Sequence, residues 1–286
     1  MQYVEVDPTA DGPSVVTVGH HVLEEDLSQA SLAEGGMPRE VRDRLREVRD
    51  ACSAERGRVV VPPSAVYSFF VPLPAEVESR ERRQHVLQQT ALVTGMGTVA
   101  PLHVESSGVR PAPDQEGRPY EWVHVLALSD EVRTQFREAF DLGEEDEWPW
   151  MVSSEAAAHV PRVETPNASA PFTLLAGEYD THTEFSLVHE GDWHHAQYTE
   201  APEHPDDLGY SVRSFLNSVD VSPAAVGQLA TYGDPMLPAH RSVLEEEMGR
   251  EAATLNPFAT LAGEKGEGEP STFVPCVGGA LHALDD

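Results

Sequence analysis

The order of strand and helix patterns constrains the fold of this 286-residue chain most strongly. Residues 2–6 and 14–22 are β-rich runs on either side of a turn-forming cluster, and Pro38 then begins a helix that we expect to end near Ala54. Three strand-like runs start again within residues 172–198, and helices follow them. Because strands precede helices in both halves, the sequence predicts an α/β protein with a duplicated, two-lobe fold.

A proline-containing stretch at residues 161–171 has the composition of a loop and marks the predicted boundary between the lobes. We therefore expect a first lobe at residues 1–165, which contains an inserted subdomain at about residues 70–128. The second lobe is expected at residues 166–286. The chain is long enough for two lobes of about 100–150 residues, each with a core of its own.

Acidic residues far outnumber basic ones, since 49 Asp and Glu stand against 19 Arg and Lys and give a net charge of −30. Repulsion between these charges destabilises a compact state in dilute buffer, where the Debye length is ~30 Å, and is screened near ~1 M salt, where it is ~3 Å. The acidic residues are spread along the chain, and Lys265 is its only lysine. This pattern favours a surface adapted to a salt-rich cytoplasm over an acidic interaction patch.

The charge and the cysteines also bear on partners and location. A chain this negative repels phosphate backbones, so no nucleic-acid partner is predicted. Arginines at 39–49 and 80–83 alternate with Asp and Glu at helical spacing, which predicts solvated, ion-paired helix faces more than anion sites. Cys52 and Cys276 lack the spacing of a disulfide or metal motif, which is typical of a reducing compartment. With no apolar run near ~18 residues and no signal peptide, the protein is expected in the cytoplasm without inserting into a membrane.

Six short segments occur in an informative order along the chain. They read VVVPPS at 59–64, FVPLP at 70–74, VSSEAAA at 152–158, a strand–loop–strand at 175–188, LNPF at 255–258 and VGGALH at 277–282. Together they resemble the actin-like (RNase H-like) ATPase fold and, within it, the family of the type IV pilus assembly protein PilM. The resemblance implies a closing helix near residues 274–284 that packs between or beneath the lobes. It also places the family's second phosphate loop within residues 175–188.

The segments that would hold a nucleotide depart from the family's pattern. Its opening Asp-x-Gly turn is not found after the first β-rich run. In the second phosphate loop Glu178 would bring a carboxylate toward phosphates, and Tyr179 is bulky where the backbone must approach closely. At the adenosine side the family has a Gly-Gly pair, and this chain has Tyr-Gly-Asp-Pro around Gly233. The resemblance therefore implies a degraded nucleotide site whose equivalents are Gly177, Glu178, Asp180, Thr181 and Gly233.

Other groups of polar and aromatic residues carry weaker signals. Asp180, His182 and Glu184 alternate and would share one face of a strand. A solvated polar strand face is the preferred interpretation and a metal site the alternative, because no metal-ligand spacing accompanies them. Trp148 and Trp150 either form a small core under an acidic loop, which we prefer, or anchor a partner. No catalytic residue and no metal ligand is predicted.

The resemblance implies a non-catalytic scaffold at the cytoplasmic face of the inner membrane, in a type IV pilus or type II secretion-like assembly platform. Its expected partner is an inner-membrane protein whose short cytosolic tail lies extended in an apolar groove at about residues 70–128. We expect a neutral or basic tail, because anionic rims would repel an acidic one. The alternative is that Trp122 and Val125 fill the subdomain's own core, and a homo-oligomer is left open. A working Mg-ATP-dependent actin-like ATPase or kinase-like enzyme is the alternative function, and a pseudoenzyme module unrelated to pili is a third; no cofactor is expected otherwise.

Overall fold

The structure is a computed structural model that describes residues 1–10, 12–24, 27–95, 102–115, 118–143, 146, 148–160, 170–263 and 265–285, without the side chains of 114 and 115. Its helices are α1 (Gln29–Leu32), α2 (Arg39–Ala51), α3 (Ser79–Thr94), α4 (Asp130–Phe140), α5 (Ser153–Ala158), α6 (Pro205–Ser218), α7 (Pro238–Met248) and α8 (Val274–Asp285). Its strands are β1 (Gln2–Thr9), β2 (Gly12–His20), β3 (Val59–Val61), β4 (Tyr67–Pro74), β5 (Leu102–Gln115), β6 (Arg118–Ser129), β7 (Trp150–Val152), β8 (Phe172–Glu178), β9 (His182–His189), β10 (Asp192–Glu200), β11 (Val226–Gly233), β12 (Ala252–Thr254) and β13 (Ala262–Gly263).

Contacts divide the chain into two compact units. The first unit comprises Met1–His20, Ala54–Val60 and Ser153–Asp286, and the second comprises His21–Ser53 and Val61–Val152. The lobe boundary near residue 165 and the insertion at about residues 70–128 remain predictions. They describe the subdomains of the actin-like fold, whereas these two units are defined only by which residues contact each other. The predicted boundary stretch falls largely on residues 161–169, which lie outside the described residues.

The first unit is built around a five-stranded sheet in the order β10-β9-β8-β11-β12. Strands β8, β9 and β10 form the predicted antiparallel meander, whereas β11 runs parallel to β8 and was not predicted. One face of the sheet packs on α6 and α7 through a fully apolar cluster that includes Leu174, Phe185, Phe215 and Leu244. Removing that much apolar surface from water is the main force that holds these layers together.

A three-stranded sheet in the order β1-β2-β13 completes the first unit. Val15 of β2 packs with Phe258, Phe273 and Val277, and Val277 lies on α8. Phe258 belongs to the LNPF segment and Val277 to the VGGALH segment, so these two sequence motifs meet in one core. The predicted closing helix is confirmed as α8.

The second unit contains an antiparallel sheet in the order β4-β6-β5, covered by α3. Its core joins Val71 and Leu73 of β4, Val123 and Val125 of β6, and Val86 of α3. Val125 is completely buried there, so it fills the core, as one of the two interpretations predicted.

Two other sequence predictions fall in this unit. The predicted start of α4 is confirmed, since the backbone N–H of Glu131 donates to the Ser129 hydroxyl at 3.3 Å. Trp150 packs on Phe136 of α4 at 5.3 Å between ring centroids, and Trp148 packs on Phe140 at 4.9 Å. The two tryptophans therefore form the small core that we preferred.

None of the helices in the described part of the chain is long and apolar enough to span a membrane.

Candidate functional site

Three residues lie side by side on the three inner strands of the five-stranded sheet, near one end of those strands. Gly177 of β8 is the register partner of Glu184 on β9 and of Tyr232 on β11. Because Gly177 has no side chain, the Tyr232 ring lies over it; a Cβ at Gly177 would be 2.6 Å from that ring. The Tyr232 hydroxyl thereby reaches across β8 and donates to Oε2 of Glu184 at 2.8 Å. The packing of the Tyr232 ring therefore requires a glycine at position 177, where the resemblance places the family's second phosphate loop.

Glu184 has no exposed surface, and its carboxylate is held by further hydrogen bonds. Ser153, the first residue of α5, donates its hydroxyl to Oε1 at 2.5 Å. Nε2 of His182, on the same strand, lies 2.9 Å from that oxygen. A buried carboxylate without partners would be very costly, whereas one that accepts several hydrogen bonds is stable. We call Ser153, His182, Glu184 and Tyr232 the buried carboxylate cluster.

The loop between β8 and β9 extends this cluster outward. The Thr181 hydroxyl lies 3.0 Å from Nδ1 of His182, and a His182 ring protonated on Nε2 satisfies both this contact and Glu184. The Tyr179 ring stacks on His182 at 4.8 Å between centroids and 14° between planes. The Tyr179 hydroxyl is buried and has no hydrogen-bond partner among the residues that the structure describes.

The phenol groups of Tyr179 and Tyr232 both lie in the surroundings of the Glu184 carboxylate. Burial, and then the neighbouring Glu184 carboxylate, raises the pKa of Tyr232 well above its ordinary value. The same two causes, in the same order, raise the pKa of Tyr179 well above its ordinary value. Both phenols therefore stay neutral at physiological pH, and this end of the sheet gains no negative charge from them.

The remaining predicted site residues lie at the same end of the sheet. Nδ1 of His240 on α7 is 2.9 Å from Oε1 of Glu178, so a hydrogen bond joins the end of β8 to that helix. Gly233 has a φ of 82°, and a Cβ there would be 2.4 Å from the Glu178 carbonyl oxygen. Asp180 and Thr181 are exposed in the loop. The structure thus brings Gly177, Glu178, Asp180, Thr181 and Gly233 together, at the ends of β8 and β11 and the start of β9.

One sequence interpretation is wrong here. Asp180, His182 and Glu184 do not form a solvated strand face, since β9 begins at His182 and both His182 and Glu184 are buried, at 4% and 0% exposure. The reason is that Ser153 and Tyr232 bring hydrogen-bond donors from distant parts of the sequence. No group of three or more His, Cys, Asp and Glu placed to hold a metal ion occurs in the described part of the chain.

A second candidate site is a groove in the second unit. It has a volume of about 690 Å³ and runs between α3 and β5, next to the start of α4. Its lining residues are Ser79, Arg82, Arg83, Val86, Leu87, Leu102, His103, Val104, Ser106, Asp130 and Arg133. In the described sheet β5 pairs only with β6 and is therefore an edge strand. Nine of its eleven lining residues lie at positions 79–106, inside the range of about 70–128 where the sequence analysis predicted a peptide site.

No family model matches the sequence, and no curated protein matches it either. Solved structures do. One, a PilM-PilN type IV pilus biogenesis complex, is 14% identical, with 99% of this chain and 95% of that chain covered and a TM-score of 0.66. Another, a protein of actin-like ATPase fold and unknown function from Bacteroides thetaiotaomicron, is 11% identical, with coverages of 90% and 91% and a TM-score of 0.50. The protein therefore has the actin-like ATPase fold, and the resemblance found in the short sequence segments is confirmed at the level of the fold.

Proposed function

We propose that this protein is a non-catalytic actin-like scaffold of a type IV pilus or type II secretion-like assembly platform. It works on the cytoplasmic side of the inner membrane and binds a short cytosolic segment of a membrane partner. The observation that carries the non-catalytic part is the buried carboxylate cluster, since it fills the end of the sheet where the second phosphate loop of this fold would receive a nucleotide.

A phosphate group that approached Gly177 would have to displace the Tyr232 ring. That movement breaks the hydrogen bond to Glu184, and breaking a hydrogen bond to a charged group costs about 1.5–3 kcal/mol. The phosphate would then face the buried Glu184 carboxylate, and the two negative charges repel each other. Burial first, and then the neighbouring Asp180, raise the pKa of Asp234, so a further carboxylate interacts with Asp180 at this end of the sheet. Phosphate binding is therefore disfavoured by both packing and charge.

The scaffold part of the proposal is supported by the fold and by the groove. The chain has the fold of a protein solved in a PilM-PilN complex, and nearly its whole length takes part in the likeness. Strand β5 lies at the edge of its described sheet, and an extended peptide can add to an edge strand as a further strand. Leu87, Leu102 and Val104 supply apolar contacts in the groove next to β5.

Binding of a membrane partner's tail tests this proposal. We expect the full chain, in molar KCl, to bind the synthetic cytosolic tail of a single-span inner-membrane protein that co-purifies with it, in a one-to-one complex measured by calorimetry. Leu87→Glu places a charge in the groove and should weaken binding at least about tenfold, which is ~1.4 kcal/mol. Leu92→Glu is the matched control, because Leu92 lies on the same helix, is 74% exposed and does not line the groove. Failure of every such tail to bind, or equal losses in the two variants, would contradict the proposal.

A further inference from the structure

The wall that α3 contributes to the groove has two chemically different parts. The lining residues Ser79, Arg82, Arg83, Val86 and Leu87 are spaced three and four apart, so they share one face of the helix. Two arginines lie on this face, one turn before its apolar residues. The groove therefore offers a cationic part and an apolar part to the same occupant.

The cationic part stands out against the rest of the surface. Arg133 of α4 also lines the groove, so three of the 19 basic residues of a chain with net charge −30 meet at one site. On α2, by contrast, four of the five arginines pair with acidic residues of their own helix: Arg39 and Arg46 with Asp43, Arg44 with Glu47, and Arg49 with Asp50. The sequence prediction of ion-paired helix faces is therefore confirmed for α2 but does not describe all of α3.

The three arginines of the groove differ in how far they are neutralised. Arg82 forms a salt bridge with Glu121 of β6, and Arg133 lies 3.4 Å from Asp130. Arg83 is exposed and forms no salt bridge with any residue that the structure describes. Its guanidinium therefore has unused donors directly beside the apolar wall, and it is the residue that a carboxylate would meet.

We infer that the groove selects an acidic segment: an extended peptide whose apolar side chains contact Leu87 and Val104 and whose Asp or Glu carboxylate pairs with Arg83. The inference rests on the proposed function, because it specifies the chemistry of the same partner segment. It replaces the expectation of a neutral or basic tail, which assumed anionic rims: the described lining has three arginines against one carboxylate, Asp130, which lies 3.4 Å from Arg133.

Such selectivity is compatible with a salt-rich solvent. Near ~1 M salt the Debye length is ~3 Å, so long-range attraction and repulsion between surface charges are largely lost. A contact pair survives better, because a guanidinium binds a carboxylate through two parallel hydrogen bonds. The overall negative charge of the protein therefore does not prevent recognition of an acidic segment at one arginine.

The test uses labelled peptides of about six residues, the length of a typical strand, with valine and serine in alternation. One central serine is kept, or replaced by glutamate or by lysine, and binding to the full chain is followed by fluorescence anisotropy in molar KCl. The glutamate peptide should bind about tenfold more tightly than the lysine peptide, which corresponds to ~1.4 kcal/mol. Arg83→Glu should reverse this order. Arg80→Glu is the matched control, because Arg80 is exposed on α3, does not line the groove and should leave the order unchanged.

The remaining outcomes separate this inference from the proposed function. Equal binding of the three peptides, or a preference that Arg83→Glu and Arg80→Glu change alike, would overturn the acidic selectivity while the scaffold proposal stood. Binding of anionic phospholipid vesicles through Arg83, without a preference among the peptides, would also overturn it. If no peptide binds, the inference is wrong, and the scaffold proposal falls with it only if the tails of co-purifying membrane proteins fail as well.

Discussion

The thermal midpoint of the full chain is expected to rise by on the order of 15 °C between dilute buffer and molar KCl. The net charge of −30 means that most acidic residues have no basic residue left to pair with. Salt screens the repulsion between these unpaired charges. It also weakens attractive surface pairs such as Arg44–Glu47, but the stability lost in this way is smaller, since each exposed pair contributes only about 0–1 kcal/mol. Repulsion therefore dominates the response to salt.

The measurement is a series of melting curves by circular dichroism at increasing KCl concentration. A series at matched osmolality with an uncharged solute is the control, because it changes excluded volume without screening charge. A midpoint that is flat or falls with KCl would show that the acidic surface serves a partner and not the solvent.

Replacing Glu184 by alanine is expected to reduce the free energy of unfolding by about 4 kcal/mol. The substitution removes the acceptor of Tyr232, Ser153 and His182 at once. All three remain buried, and each unsatisfied polar group costs about 1–3 kcal/mol. Tyr232→Phe removes one of these bonds and should therefore cost only about 1–3 kcal/mol.

Glu200→Ala is the control for the first substitution and Tyr210→Phe for the second. Glu200 is exposed on β10 of the same sheet, so its loss changes the net charge equally without touching the buried carboxylate cluster. Tyr210 is 70% exposed on α6. Both controls should stay within about 0.5 kcal/mol of the unchanged protein in urea unfolding at fixed KCl. If Glu184→Ala were as mild as Glu200→Ala, the cluster would not have the structural role that its hydrogen bonds indicate.

Elements whose signals are local could be predicted from the sequence. The start of α4 follows from the N-cap at Ser129, and the turn between β9 and β10 follows from Glu190 and Gly191, which adopt φ values of 52° and 104°. Strand β11 was missed because it is a central parallel strand with both faces covered. Its residues have no alternation of polar and apolar side chains, and Gly227 interrupts the apolar run.

The missed strand also explains the wrong interpretation of the candidate site. His182 and Glu184 alternate like residues of a solvated strand face, and nothing near them in the sequence provides a partner. Their burial depends on Tyr232 from β11 and on Ser153 from α5, which only the tertiary fold brings to them. The five positions implied by the resemblance, from Gly177 to Gly233, do lie together at one end of the sheet. Their strands are neighbours in the order of this fold, so the loops at that end of the strands are neighbours as well.

The central claim is that an actin-like fold here no longer receives a nucleotide, and calorimetric titration of Mg-ATP into the full chain in molar KCl tests it most directly. We expect no heat of binding and no release of phosphate above that of the buffer. Replacing both Glu178 and Tyr179 by glycine should not restore turnover, because Tyr232 still covers Gly177 and no Asp-x-Gly turn follows the first β-rich run. Micromolar affinity of the unchanged protein for Mg-ATP, or hydrolysis that Tyr232→Ala alters, would contradict the account.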